Sequence, residues 1–282
     1  MITEMTLEGP DGQPVVLLDS PAGRTFSRVE GLIGVTAREV ITARPSRHGN
    51  LNRTRFRDGR PITIAGQIFG QTPEDCWDHY EAIALAFAGA VDTDRLLKWT
   101  GKRALQQSVR LVSLEPPIER SRDLIEYMAT LRVSDARAVA QAEQTLDGSL
   151  LSVSGGGKVY PYTYTRFYTP AGGGAVAFTV GGTVEAYPVF RVFGQATTPR
   201  LVLQATGEEF RLDGVIDPGR WIEIDMNART VVLDDGTDLR HLVNYAVTSW
   251  FDLAPGSHTV QMFANNFDAS ALVRVTWRDA YT

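Results

Sequence analysis

Apolar and polar residues alternate with a period of two over most of this chain. In Trp221-Ile222-Glu223-Ile224-Asp225 and in Ala271-Leu272-Val273-Arg274-Val275-Thr276-Trp277-Arg278, one face of an extended strand is set for a core and the other for water. Ala271, Val273, Val275 and Trp277 are expected inside, with Leu272, Arg274, Thr276 and Arg278 opposite. Val231-Val232-Leu233, Leu96-Leu97-Lys98-Trp99, Ser108 to Val112 and Leu124 to Val133 read as strands too. Asp213-Gly214, Pro218-Gly219, Asp235-Gly236 and Pro255-Gly256 punctuate the later runs as turns. Short strands at this spacing predict sandwich folds, so the class is mainly β.

One segment has a helical period instead. Thr72-Pro73-Glu74-Asp75 supplies an N-cap, a proline at the first helical position and acids where the helix dipole favours them. Cys76, Trp77, Tyr80, Ile83, Ala84 and Phe87 follow at intervals that put them on one face, and Gly89 is placed to end the run. Beyond Asp135 the chain becomes rich in Ala, Gln, Ser and Gly and reaches Ser154-Gly155-Gly156-Gly157. A domain boundary is expected there, giving domains 1–148 and 149–282.

The stretch Trp250 to Phe263 poses a question of its own. Alternation places Phe251 and Leu253 on a core face, a Pro255-Gly256 turn follows, and Val260 and Met262 resume the apolar face. Trp250 is then expected across the strand from Phe251, as one exposed ring open to a partner.

Composition narrows the function classes. At 282 residues with 43% hydrophobic and 22% charged residues, the chain has an ordinary globular balance and the length of two domains. A formal net charge of -5 argues against broad electrostatic capture of nucleic acid or anionic membrane. Cys76 is the single cysteine, so no intrachain disulfide forms. The apolar run Ala82 to Val91 is far shorter than the ~20 residues that span a bilayer, and MITEMTLEGPDG lacks the apolar stretch of a secretory signal.

Catalytic constellations are not found. Gly155-Gly156-Gly157-Lys158 lacks phosphate-loop spacing, and His48, His79, His241 and His258 are scattered. Asp234, Asp235 and Asp238 lack calcium-loop order and read as turn solvation. Cys76 falls on the apolar helix face, where a thiol is inert. We expect no catalysis, metal or cofactor. The arginines differ: Arg44, Arg47, Arg53, Arg55, Arg57 and Arg60 fall within seventeen residues. Arg53, Arg55 and Arg57 share a face by period two and suit a subunit interface, with a solvated hairpin and a nucleic-acid arm as alternatives. Tyr160, Tyr162 and Tyr164, on alternate positions, suit either sugar stacking or a partly wet protein interface.

Taken in order, the segments resemble the distal tail (Dit) proteins of long-tailed, non-contractile bacteriophages. In the first half the resemblance is carried by Gly31-Leu32, by Asp58-Gly59-Arg60-Pro61 running into Ile62 to Ile68, by the capped helix, and by Tyr127 to Val133. In the second half it is carried by Gly181 to Gly194, Ile222 to Asp225, Arg229-Thr230-Val231, Trp250 to Gly256 and Val275 to Tyr281. The resemblance implies a tail-tube-like N-terminal β-sandwich with one flanking helix, closing into a homo-hexameric ring, and a galectin-like C-terminal β-sandwich. It also implies a structural hub at the distal end of a virion tail, made in the host cytoplasm. Its partners would be the tail tube protein, a tail-tip hub protein and receptor-binding or adhesion proteins, with a channel left for DNA. The alternative is a cell-wall carbohydrate-binding adhesin, although the HxNPR and WGxE patterns of galectins are absent at His241 and Trp250.

Overall fold

A computed structural model describes residues 2–18, 24–34, 36–38, 41–43, 50–52, 56–149, 174–267 and 271–282. It divides into two compact units, Met1–Ala142 with Tyr281–Thr282, and Glu143–Ala280.

The first unit runs β1 (Glu4–Glu8), β2 (Pro14–Leu18), β3 (Arg24–Glu30), β4 (Thr36–Arg38), β5 (Ile41–Ala43), β6 (Asn50–Asn52), β7 (Phe56–Asp58) and β8 (Pro61–Phe69). Helix α1 (Pro73–Ala88) follows, then β9 (Arg95–Thr100), β10 (Ala104–Leu114), β11 (Ile118–Ser121), β12 (Leu124–Val133) and β13 (Ala138–Ala140). Its main antiparallel sheet has the order β2-β1-β9-β10-β12-β8-β3. The two ends of that path meet: the Arg24 guanidinium, at the start of β3, donates to the Val16 carbonyl of β2 at 2.9 Å. The sheet therefore curls around one core, built from Met5, Leu7, Ile62, Ile64, Leu97 and Leu131 among others.

Helix α1 begins as its sequence dictates. The Thr72 hydroxyl accepts from the Asp75 amide at 3.2 Å, and Pro73 stands at the first position. Cys76, Ile83, Ala86 and Phe87 are buried. Trp77 departs from the expected face, 37% exposed and edge-on to Tyr80 at 5.7 Å. Gly89 ends the helix in right-handed geometry, φ -62, so left-handed backbone is not what selects glycine here. Close approach is: a Cβ on Gly89 would lie 3.0 Å from Pro10 Cγ. A second close approach joins β8 to β12, where the Tyr127 ring covers its register partner Gly66 and would stand 2.4 Å from any Cβ there.

The second unit runs β14 (Gln144–Ser149), β15 (Ala175–Val180), β16 (Val189–Phe193), β17 (Ala196–Thr197), β18 (Arg200–Leu203), β19 (Glu209–Arg211), β20 (Val215–Ile216) and β21 (Trp221–Asp225). It continues with β22 (Thr230–Leu233), β23 (Gly256–Phe263), β24 (Asn266–Phe267), β25 (Leu272–Trp277) and β26 (Ala280–Tyr281), whose last residue belongs to the first unit. One sheet has the order β14-β25-β16-β21-β22 and the other β15-β23-β18-β19. They share one core: Phe190, Ile222, Val273 and Val275 come from the first, and Val176, Leu201, Phe210 and Val260 from the second. Phe178 and Trp277 stack across the two layers at 4.7 Å. At the edge, Gly148 of β14 lets Val176 of β15 approach to where its own Cβ would be 2.0 Å away. The sequence reading set the division at 148/149. The contacts divide the chain at 142/143, because β14 pairs with β25 along its whole length, from Gln144↔Trp277 to Ser149↔Leu272.

The outer face of the five-stranded sheet is a charge ladder. Register sets Asp147, Arg274, Arg191 and Glu223 side by side on four adjacent strands. Asp147 takes both ends of the Arg274 fork, at 2.6 and 2.8 Å, and Glu223 accepts from Arg191 at 2.7 Å. Hydrogen bonding to Arg274 holds the Asp147 carboxyl below its usual range.

Candidate interaction surfaces

The arginine-rich segment forms a hairpin. Strand β4 pairs with β7, with Ala37 opposite Arg57, and β5 pairs with β6, with Thr42 opposite Leu51. Among the described residues these strands pair only with each other. From Thr36 to Asp58 the sequence holds Arg38, Arg44, Arg47, Arg53, Arg55 and Arg57 against Glu39 and Asp58, a formal +4 in a chain of net -5. A basic arm thus stands on an otherwise acidic protein. Arg53 and Arg55 lie outside the described residues, between the pairs Ile41↔Asn52 and Arg38↔Phe56. Two residues separate those pairs on the outgoing strand and three on the return. Of the arginine face expected from period two, Arg57 is described by its pairing alone.

Arg60 has a different part from its neighbours. It is 4% exposed, and its guanidinium donates to the carbonyls of Gly31 (2.5 Å), Leu32 (2.5 Å) and Ala136 (2.7 Å) and to Gln107 Oε1 (3.3 Å). Gln107, also buried, donates to the carbonyls of Asp135 and Arg137. Burial lowers the Arg60 pKa, and the nearby Asp135 charge opposes that shift. One side chain thereby fastens both roots of the hairpin, Gly31-Leu32 before it and Gly59-Arg60 after it, to the loop beyond β12. Gly31 is required there: its φ is +79, and a Cβ would meet the Pro61 carbonyl oxygen at 2.1 Å. From sequence, Arg60 counts among the six arginines of the basic run but not in the row Arg53, Arg55 and Arg57. Its place between Gly59 and Pro61, out of step with 53, 55 and 57, fits this separate part.

Tyr160, Tyr162 and Tyr164 lie outside the described residues. Trp250 is described and differs from expectation. Residues 249–252 form no regular strand; they are tied down by Ser249 N donating to the Glu209 carbonyl (2.8 Å) and Leu253 N to that of Ala186 (2.9 Å). Phe251 is buried against Phe190, with ring centroids 5.9 Å apart. Trp250 is half-buried and meets Phe210 edge-on at 5.1 Å, packing against the same core. The two rings anchor one loop to one core, and little of Trp250 is left as a platform. The loop exposes Tyr245 (64%) and Val247 (47%) instead.

The acidic turn of the second unit is an ion-pair cluster. Arg220 binds Asp234 and Asp235, each at 2.6 Å, and Arg240 binds Asp238 at 2.6 Å. Among the described residues no group of His, Cys, Asp and Glu is arranged to hold a metal. Cys76 is buried, and burial raises its thiol pKa. Bonds from Thr237, then Arg220, hold Asp235 well below the carboxylate range. A folded pKa below the unfolded value of about 3.9 means this contribution is complete above that pH and declines as pH falls below it. In urea titrations between about pH 5 and 2, the wild-type midpoint should fall more steeply than that of Asp235→Asn; parallel curves would show that the turn is not coupled to folding.

No helix among the described residues is long and apolar enough to cross a membrane. No curated protein matches the sequence. Residues 181–281 match the family model of the siphovirus-type tail component, C-terminal domain. Among solved structures, the fold is similar to the crystal structure of the Dit protein of phage SPP1, described as a paradigm of the hub adsorption apparatus in phages infecting Gram-positive bacteria. That match has a TM-score of 0.69 and 12% identity, covering 99% of each chain. It is also similar to a chain of the phage p2 baseplate in its activated conformation with Ca, at a TM-score of 0.56 and 12% identity, covering 98% of each. The strontium form of that baseplate gives 0.55 over 97% of each chain. Residues 181–281 thus match the tail-component family, and the chain as a whole has the fold of these hub proteins.

Proposed function

We propose that this protein is a structural hub of a siphophage tail tip: six copies form a ring that joins the tail tube to the baseplate or receptor-binding apparatus and leaves a channel for DNA. The observation that carries this reading is the match to the SPP1 Dit fold, which runs through both units and over 99% of each chain. Ring closure by a head-to-tail contact requires each subunit to present two different, complementary surfaces, and the basic hairpin supplies one. Net negative charge suits a wall along which DNA slides without sticking. Negative-stain images of the purified protein, alone at high concentration or with neighbouring tail proteins, should show six-fold rings. A strict monomer that also fails to enter tail tips overturns the proposal.

The hairpin gives a second test. Reversing Arg53, Arg55 and Arg57 to Glu, or raising salt from about 0.05 to 0.5 M, should weaken ring formation severalfold and leave the monomer's melting temperature within about 1 °C. Equal loss of monomer stability would mean that these arginines serve the subunit's own fold.

A further inference from the structure

We infer that the exposed face of α1 is the seat for the basic hairpin of the neighbouring copy. This inference rests on the ring proposed above and names the surface that receives the arm.

Among the described residues, nothing packs on one face of the helix. Glu74, Asp78, Glu81 and Leu85 recur at four-, three- and four-residue intervals, which lines them up along one stripe, with Trp77 beside it. All are exposed, Leu85 at 62% and Trp77 at 37%. Among the described residues Glu74, Asp78 and Glu81 have no ion-pair partner; the only pair on the helix joins His79 to Asp75. The helix contains no Lys or Arg. Like charges at these spacings destabilise a helix. The macrodipole favours Glu74 and Asp75 in the first turn, but it gives nothing to Glu81, past the helix middle. An acidic stripe with uncovered apolar side chains, which the described residues of its own subunit do not neutralise, is built for a cationic partner.

The same sequence supplies that partner. From Thr36 to Asp58 the hairpin carries a formal +4, and Pro73 to Ala88 carries -4 with His79 neutral. The stripe continues into a cleft of about 310 Å³ lined by Pro73, Trp77, Glu119, Ser121, Arg122 and Ile125. There Glu119 accepts from the Trp77 indole at 3.1 Å, and Arg122 is the one cation on the rim. Arginine forks meet carboxylates in pairs and lay their planes on aromatic rings, and this surface offers both. Hairpin on helix is a heterologous contact, so repeating it around an axis closes a ring.

Three full-length variants test the seat by sedimentation velocity. The hairpin-reversed chain carries Arg53→Glu, Arg55→Glu and Arg57→Glu; the helix-reversed chain carries Glu74→Lys, Asp78→Lys and Glu81→Lys; the third carries all six changes. Each singly reversed chain should need at least about tenfold more protein than wild type to assemble. Mixed one to one, they should assemble again, because alternating copies around an even-membered ring restore every hairpin-helix pair. The sixfold variant should assemble alone. Restored assembly on mixing also shows that neither variant had merely misfolded. If wild type forms rings and the helix-reversed chain forms them equally well, the seat is wrong and the ring stands. If helix reversal blocks assembly but neither mixing nor the sixfold variant restores it, the helix receives a different partner and the inference fails. If wild type forms no ring under any condition, the underlying reading fails first.

Discussion

Replacing Arg60 by alanine should destabilise the first unit by about 3–5 kcal/mol, since the buried carbonyls of Gly31, Leu32 and Ala136 and the Gln107 amide oxygen would lose their donors together. For a unit of this size that is a fall in melting temperature of roughly 6–20 °C. Arg60→Lys should recover only part of it, because one ammonium cannot reproduce a planar fork. Arg28→Ala, at a guanidinium 65% exposed, is the control and should stay within about 0.5 kcal/mol of wild type. Calorimetry on the four proteins gives the answer. A wild-type melt for Arg60→Ala would mean that water replaces the guanidinium at no cost and that the hairpin roots need no fastening.

The second large effect belongs to the other core. Phe190 lies on β16, in the middle of its sheet, between register partners Ile224 and Val275, and is 0% exposed. Phe190→Ala should cost about 3–5 kcal/mol through lost burial and the cavity left beneath Phe251. Phe190→Leu, which keeps most of the volume, should cost markedly less. Tryptophan emission adds a local readout: Trp250 sits on the loop that Phe251 anchors, so the alanine variant should shift its emission before global unfolding. Unchanged stability would place the weight of this core elsewhere.

The strands were legible because burial follows a local rule. Ala271, Val273, Val275 and Trp277 are all buried, and Ile222 and Ile224 point inward from β21 as alternation requires. The start of α1 was legible for the same reason, since Thr72 and Pro73 act within one turn. What failed was non-local. Trp77 has the spacing of a core residue but lies at the margin of the buried stripe defined by Cys76, Ile83 and Phe87, and only the packed sheet decides where that margin falls. Arg60 reads as one more cation of a basic run until the carbonyls from positions 31, 32 and 136 converge on it. Trp250 reads as a strand residue, yet long-range backbone bonds to Glu209 and Ala186 set the path of its loop. Glu74, Asp78 and Glu81 were visible in the sequence, but only the fold shows that among the described residues none of the three has an ion-pair partner.

The pairing of β14 with β25 has a consequence for biosynthesis. Gln144 pairs with Trp277, so almost all of the second unit emerges from the ribosome between a strand and its partner. Until Leu272 to Trp277 appear, β14 has no ladder and β16 lacks one of its two neighbours, so the five-stranded layer cannot be completed during elongation. Such high contact order makes closure slow and leaves apolar edges open meanwhile. In the first unit the path β2-β1-β9-β10-β12-β8-β3 ends at Val133 in sequence and can pair while the rest is still being made, before β13 and β26 join the same sheet. Premature termination before Leu272 would therefore release a chain whose five-stranded layer cannot be completed.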